Sequence, residues 1–221
     1  MNKINITENL KNFKSKLPEN VTLVAVSKTK PVSEIMEAYR AGQRVFGENK
    51  IQEMESKWQE MPKDILWHMI GHVQSNKVKY MAPFVSLIHA VDSFKLLNEI
   101  NKEAIKNGRV IECLLQIKIA VEDSKFGMHE ADAAILLASK ELKKLENVKI
   151  VGLMGMATFT ENEAQIAKEF QKLKKIYHQL KIMNSEFKIL SMGMSGDYKI
   201  AIENGSTMVR VGSAIFGDRN Y

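Results

Sequence analysis

Two rhythms alternate along the chain. Short runs of β-branched and apolar residues are separated by longer stretches whose apolar positions recur at helical spacing. The first run is Thr22-Leu23-Val24-Ala25-Val26, and it leads into Ser27-Lys28-Thr29-Lys30-Pro31. Apolar residues on both faces suit a strand buried on both sides. Pro31 suits the first turn of a helix. Ile35, Met36 and Tyr39 then recur at helical spacing, with Gly42 as a stop, which predicts a helix over 32–41. Upstream, Ile4, Ile6, Leu10 and Phe13 among polar neighbours predict an amphipathic helix over 4–16.

The same alternation predicts strands at 45–49, 65–71, 85–91, 110–119, 148–156, 187–192 and 208–212. Between them it predicts helices over 50–60, 74–80, from a cap at Asp92 or Ser93 to Gly108, then 130–145, 163–183 and 196–204. Eight such strands, with no Pro/Gly/Ser linker between them, imply a single (β/α)8 TIM-type barrel over residues 1–221 with an extra N-terminal helix. An open doubly wound sheet is the alternative. No Gly-x-Gly-x-x-Gly follows any of the strands, so a dinucleotide-binding reading lacks its fingerprint.

Composition narrows the class. Hydrophobic residues make up 45% and charged residues 26% of the 221, enough to bury a substantial core. No apolar run approaches the roughly 20 residues that span a bilayer. The polar stretch from Met1 to Leu17 lacks a signal-peptide core, which points to the cytoplasm. The net charge of +6 comes mostly from lysines interleaved with glutamates, the pattern of solvated helix faces. No basic stripe with aromatics or arginines marks a nucleic-acid surface. The single Cys113 lies in an apolar run and reads as a buried structural thiol.

Chemistry is expected where the strands end, because ligands sit at the carboxyl rim of such barrels. Lys28 follows strand one, Asn49 closes strand two, and His68 lies near the end of strand three. Strand seven runs into Ser191-Met192-Gly193-Met194-Ser195-Gly196, and strand eight into Arg210-Val211-Gly212-Ser213. Glycine and serine at these two loops suit phosphate binding, since close backbone approach and a helix N-terminus both favour an anion. Arg210 lies among apolar residues and needs an acceptor. It either pairs with a barrel carboxylate such as Glu48 or is aimed at a ligand. His68 and His72 are spaced as His-x-x-x-His, but on a strand, with Gly71 between them and no nearby carboxylate, so no metal site is expected. Met154, Met156, Met192 and Met194 read as core and pocket wall.

The run of motifs is similar to that of the pyridoxal phosphate homeostasis proteins, also called proline synthase co-transcribed proteins. It comprises Ala25-Val26-Ser27-Lys28-Thr29-Lys30-Pro31, Phe46-Gly47-Glu48-Asn49, Trp67-His68-Met69-Ile70-Gly71 and Gln74-Ser75-Asn76-Lys77. It continues with Ser124-Lys125-Phe126-Gly127, Gly152-Leu153-Met154, Ser191-Met192-Gly193-Met194-Ser195 and the segment from Gly205 to Gly217. The resemblance implies the barrel of alanine racemase and pyridoxal 5'-phosphate held as a Schiff base on Lys28. The residues alone leave Lys30 open. Ser195, Gly212 and Ser213 match the family's phosphate positions, Arg210 the residue facing the pyridine nitrogen, and Asn49 and His68 pocket positions. Ser213 stands where the family usually has Thr, Asp197-Tyr198 where an acidic residue and Met are usual, and Lys118 where Asn is common.

The family likeness implies a carrier that buffers pyridoxal phosphate in vitamin B6 and amino-acid homeostasis, with no catalytic residues and little turnover. Apo forms of enzymes that use the cofactor are its implied recipients, and a monomer is the simpler expectation. A guanidinium opposite the ring nitrogen disfavours transamination. A racemase-type enzyme is the alternative, but it needs a base on each face of the ring, and the racemase draws one from a second domain.

Overall fold

The computed structural model describes residues 5–121 and 126–217. The Ser124-Lys125 part of one motif lies outside them. Eight parallel strands close into a barrel in chain order: β1 (Thr22–Val26), β2 (Val45–Glu48), β3 (Leu66–Met69), β4 (Leu87–Val91), β5 (Ile111–Gln116), β6 (Val148–Met154), β7 (Ile189–Ser191) and β8 (Met208–Val211). The seam is β8 against β1, in a register that sets Val24 beside Arg210. The helices are α1 (Ile6–Lys14), α2 (Val32–Arg40), α3 (Ile51–Glu60), α4 (Val78–Met81), α5 (Phe94–Lys106), α6 (Glu130–Ala138), α7 (Glu163–Lys181), α8 (Tyr198–Glu203) and α9 (Ser213–Phe216). The fold is the (β/α)8 barrel that the periodicity implies.

Helix α1 is the expected extra N-terminal element. The Asn5 side chain caps it by accepting from the Glu8 amide, and Ile6, Leu10 and Phe13 form its buried face. Phe13 packs on Tyr198 of α8 with ring centroids 4.7 Å apart, and Asn9 Nδ2 donates to the Ile215 carbonyl of α9. The helix added before the barrel thus braces the two short helices that follow β7 and β8. Tyr198, one of the departures from the family pattern, belongs to this outer layer.

Alternation along the strands separates two apolar clusters. Leu23, Ala25, Val209 and Val211 pack outward against the helices. Val24, Leu87, Leu114, Val151, Met154 and Met208 fill the barrel interior. The pairing slips once in β4, between Ile88 and Val91, and once between β5 and β6 at Cys113 and Leu114. At the second slip Gly152 pairs with Leu114 and adopts φ +154°. A Cβ there would stand 1.8 Å from the Ile189 carbonyl oxygen of β7, so only glycine lets the strands approach.

Several elements are shorter than their patterns. Strand β5 ends at Gln116; Ile117 N–H still reaches Met154 O of β6, while Met128 N–H donates to Gln116 O and Lys118 N–H to Met128 O. The predicted helix 130–145 breaks after Ala138, where extended Ser139 hydrogen-bonds both Leu136 O and the Leu142 amide. Cys113 is fully buried and its thiol is pushed well above its ordinary range, chiefly by that burial. Among the described residues no helix is long and apolar enough to cross a membrane.

Gly152→Ala tests the slip. Its methyl meets backbone that no rotamer can relieve, so urea unfolding is expected to show a loss of about 3 kcal/mol or more. An unchanged midpoint would show that the strand spacing at this point is not fixed.

Candidate functional site

A cleft of about 700 Å³ opens at the carboxyl ends of the strands. Lys28, Asn49, Ser195, Arg210, Gly212 and Ser213 all line it. They come from the ends of β1, β2, β7 and β8, which the closed barrel makes neighbours on one rim. Gly71 permits the turn after β3 to press on Asn49, since a Cβ there would lie 2.4 Å from the Asn49 carbonyl oxygen. Met156 and Met194 contribute apolar wall, while Met154 and Met192 are buried in the core. Half-buried Lys118 is not among the residues that line the cleft.

One side of the cleft is rich in backbone amides. The loop after β7 ends in α8 and the loop after β8 ends in α9, and the first amides of a helix have no acceptor inside it. Asp197 Oδ1 accepts from Met194 N–H at 2.5 Å and ties the first loop. Burial holds the Asp197 carboxyl above its ordinary range against that bond and Arg210, which pull it down. Gly212 N–H reaches Ser195 Oγ at 3.4 Å, joining the two loops. Two hydroxyls, loose amides and a nearby guanidinium form a donor set suited to a phosphate dianion.

Arg210 is 4% exposed and forms the floor. Its Nη1 donates to Ser191 O at 2.9 Å and to Ser191 Oγ at 2.7 Å, and its Nη2 donates to Gly155 O at 3.1 Å. Glu48 is not its partner. That carboxylate accepts instead from Ser27 and Lys57. Desolvation lowers the Arg210 pKa to about 10, with Asp197 opposing, so the guanidinium keeps its charge at neutral pH.

His68 departs from expectation: it does not line this cleft. It lies on β3 inside the barrel, 5% exposed, with Nδ1 3.0 Å from His89 Nε2, and His89 Nδ1 lies 3.1 Å from Ser191 Oγ. Its other edge faces a second cavity at the amino ends of the strands, lined also by Thr22 and Glu112. The sequence placed His68 at the strand end, but Met69 still belongs to β3 and Ile70 is the side chain that reaches the cleft. A polar thread therefore runs from Arg210 through Ser191 and His89 to His68. Arginine can only donate, so Ser191 Oγ accepts from it. Both rings are neutral in such a chain, each with one N–H. No group of metal-ligating side chains occurs among the described residues.

Other residues share the lining of the cleft. Lys30 lines the cleft beside Lys28, but its Nζ donates to Phe216 O at 2.7 Å and lies 3.5 Å from Glu34. Gln116, 4% exposed, donates to Phe126 O and reaches the cleft from β5. His72 stands at the rim, stacked on Phe126 with centroids 5.2 Å apart. Periodicity could place Gln116 on a buried strand, where an amide needs partners; that alone was its signal.

The thread makes the fold acid-sensitive. Burial lowers His68 to about 3 and His89 well below the ordinary 6.5. Unfolding frees both to bind protons near that ordinary value, so their contribution is complete above about pH 6.5 and is lost as pH falls towards the folded values. Unfolding free energy measured between about pH 7 and about pH 4 is expected to fall by up to ~1.4 kcal/mol per pH unit for each histidine. His68→Gln and His89→Gln should each flatten that slope; a slope unchanged in both would mean the rings are not held neutral.

A family model described as "Alanine racemase, N-terminal domain" matches residues 1–220. A "Pyridoxal phosphate homeostasis protein" of Vibrio alginolyticus is 43% identical over 210 residues, covering 92% of this chain and 89% of that protein. The structure of PipY of Synechococcus elongatus with pyridoxal phosphate bound superposes with a TM-score of 0.87 at 37% identity, covering 96% of this chain and all of that one. An alanine racemase of Clostridium difficile shares the fold, with a TM-score of 0.79 at 16% identity, over 98% of this chain and 57% of that chain. The chain belongs to the alanine racemase N-terminal domain family and, within it, to the pyridoxal phosphate homeostasis proteins.

Proposed function

We propose that the cleft binds pyridoxal 5'-phosphate covalently through Lys28, and that the protein holds and releases this cofactor rather than turning over a substrate. The observation that carries the reading is a lysine at the end of β1 in the same cleft as two amide-rich helix starts and a buried guanidinium. The donor set fits each part of the molecule. Ser195, Gly212 and Ser213 would hold the phosphate, Arg210 the ring nitrogen, and the apolar side chains of Ile70 and Met156 the ring. The relatives' names and the PipY complex support the choice of ligand.

When bound, the cofactor supplies an aldehyde for an amine and an electron sink for negative charge beside it. Lys28, as a neutral amine, would hold the aldehyde carbon, with loss of one water. Arg210 keeps its proton, so it would donate a hydrogen bond to an unprotonated ring nitrogen, which would weaken the sink. Racemisation needs an acid–base group on each face of the ring. Among the described lining residues, Lys30 is bonded to Phe216 O, Asp197 accepts from Met194, and His72 stands at the rim, stacked on Phe126. This arrangement favours holding over racemisation. The buffering of the cofactor, and its delivery to apo enzymes in amino-acid metabolism, follow as the proposed role.

Borohydride reduction of the loaded protein followed by peptide mapping is expected to label Lys28, and Lys28→Ala to weaken retention of the cofactor at least about tenfold. Label on Lys30 would move the anchor. Incubation of the loaded protein with single enantiomers of several amino acids is expected to leave their chirality unchanged; conversion well above that caused by free pyridoxal phosphate would establish the racemase reading instead.

A further inference from the structure

The backbone on both sides of Lys28 meets one ionic cluster, built on Lys57 and Glu53 of α3. Lys57, on α3, is almost fully buried. Its Nζ donates to the Ser27 carbonyl at 2.8 Å, to Glu48 Oε1 at 2.7 Å and to Glu53 Oε1 at 2.7 Å. Those are all three donors an ammonium has. Ser27 Oγ donates to the same Glu48 oxygen at 2.6 Å. On the other side of Lys28, Thr29 N–H donates to Glu53 Oε1 at 2.6 Å. The residue before Lys28 and the residue after it thus meet in one ionic cluster that includes Glu53.

Thr29 is strained. Its φ is +64°, the only positive φ outside glycine among the described residues. A β-branched residue takes that conformation only where its surroundings impose it. The bond from its amide to Glu53 and the turn bond from Lys30 N–H to the Ser27 carbonyl at 3.1 Å together hold it there, and Thr29 is itself exposed. Reversal of the chain at Thr29 ends the direction of β1 and starts the approach to α2. The direction in which the Lys28 side chain leaves the rim depends on that turn.

We propose that Glu53 and Lys57 are positioning residues, which clamp Ser27 and Thr29 and so set the approach of the Lys28 amine to an aldehyde in the cleft. The inference rests on the reading of Lys28 as the covalent anchor. An ion pair on a helix next to a barrel could equally serve stability alone, and the two roles separate at Thr29. If Glu53 acts by holding Thr29 at positive φ, then glycine at 29 makes Glu53 dispensable, because glycine adopts that conformation without a Cβ penalty. If the Lys57–Glu53 pair only adds stability, removing the Cβ at position 29 does not restore what its loss takes away.

The test measures the rate of covalent capture of pyridoxal phosphate by absorbance, alongside thermal unfolding. Glu53→Ala is expected to slow capture about tenfold, a typical effect of a displaced reacting group. Glu53→Gln, which keeps an acceptor for Thr29, should lie between it and the parent protein. Adding Thr29→Gly to Glu53→Ala should restore most of the rate without restoring thermal stability. Capture unaffected by Glu53→Ala, or a double variant as slow as the single one, would overturn the inference. Should Glu53→Ala not fold, amide exchange in the unaltered protein decides: a protected Thr29 amide is expected, and a freely exchanging one overturns the clamp. Borohydride mapping of the unaltered protein keeps the two readings apart. Label on Lys28 with no Glu53 effect defeats the clamp alone, whereas label elsewhere defeats the anchor.

Discussion

A full positive charge sits inside the barrel at Arg210, and much of the interior is arranged to make that tolerable. A guanidinium cannot shed its proton at neutral pH, so burial demands acceptors around it. Two backbone carbonyls and one hydroxyl supply them. The hydroxyl belongs to Ser191, which is also in contact with His89, and His89 with His68. An interior otherwise filled by Val24, Leu114, Val151 and Met154 therefore carries one polar seam along its axis. The seam orients Arg210 towards the cleft. A charge placed there chooses what the cleft can hold: a ligand with acceptors, and a phosphate close by.

The rest of the site is built by strand ends meeting helix starts. The loops after β7 and β8 lead into helices too short to stand alone, and α1 braces both of them through Phe13 and Asn9. Rigidity on that side is thus borrowed from the helix added in front of the barrel. On the β1 side it comes from α3, whose Lys57 and Glu53 grip the turn around Lys28. Anion cradle and amine are held by different helices against one sheet. This division suits the proposed role, in which an amine meets a phosphorylated aldehyde and later releases it.

Much of this architecture is legible in the amino-acid sequence. Runs such as Thr22–Val26 and Met208–Val211, separated by stretches with helical spacing, specify strands and helices through local contacts alone. Their number and alternation leave few topologies. Lys28, Asn49, Ser195, Gly212 and Ser213 are legible because they follow directly after apolar runs. In a parallel barrel, coming next after a strand is enough to place a residue on the rim.

What the sequence alone determined, then, is the order of the elements, the closure they imply and the residues at their ends, since each follows from a pattern within a few residues. Tertiary structure alone decided which way buried strand residues face and which distant groups they meet. Strands apolar on both faces carry no parity signal, and the slips in β4 and at Gly152 shift parity further. His68 differs for another reason, depth along the strand: β3 runs on through Met69, so His68 lies in the barrel one layer below the cleft. Partner choice is likewise non-local. Glu48 was a candidate for Arg210, but the burial of Lys57, nine residues along on α3, brings it a nearer cation, and Arg210 is left to Ser191 and Gly155.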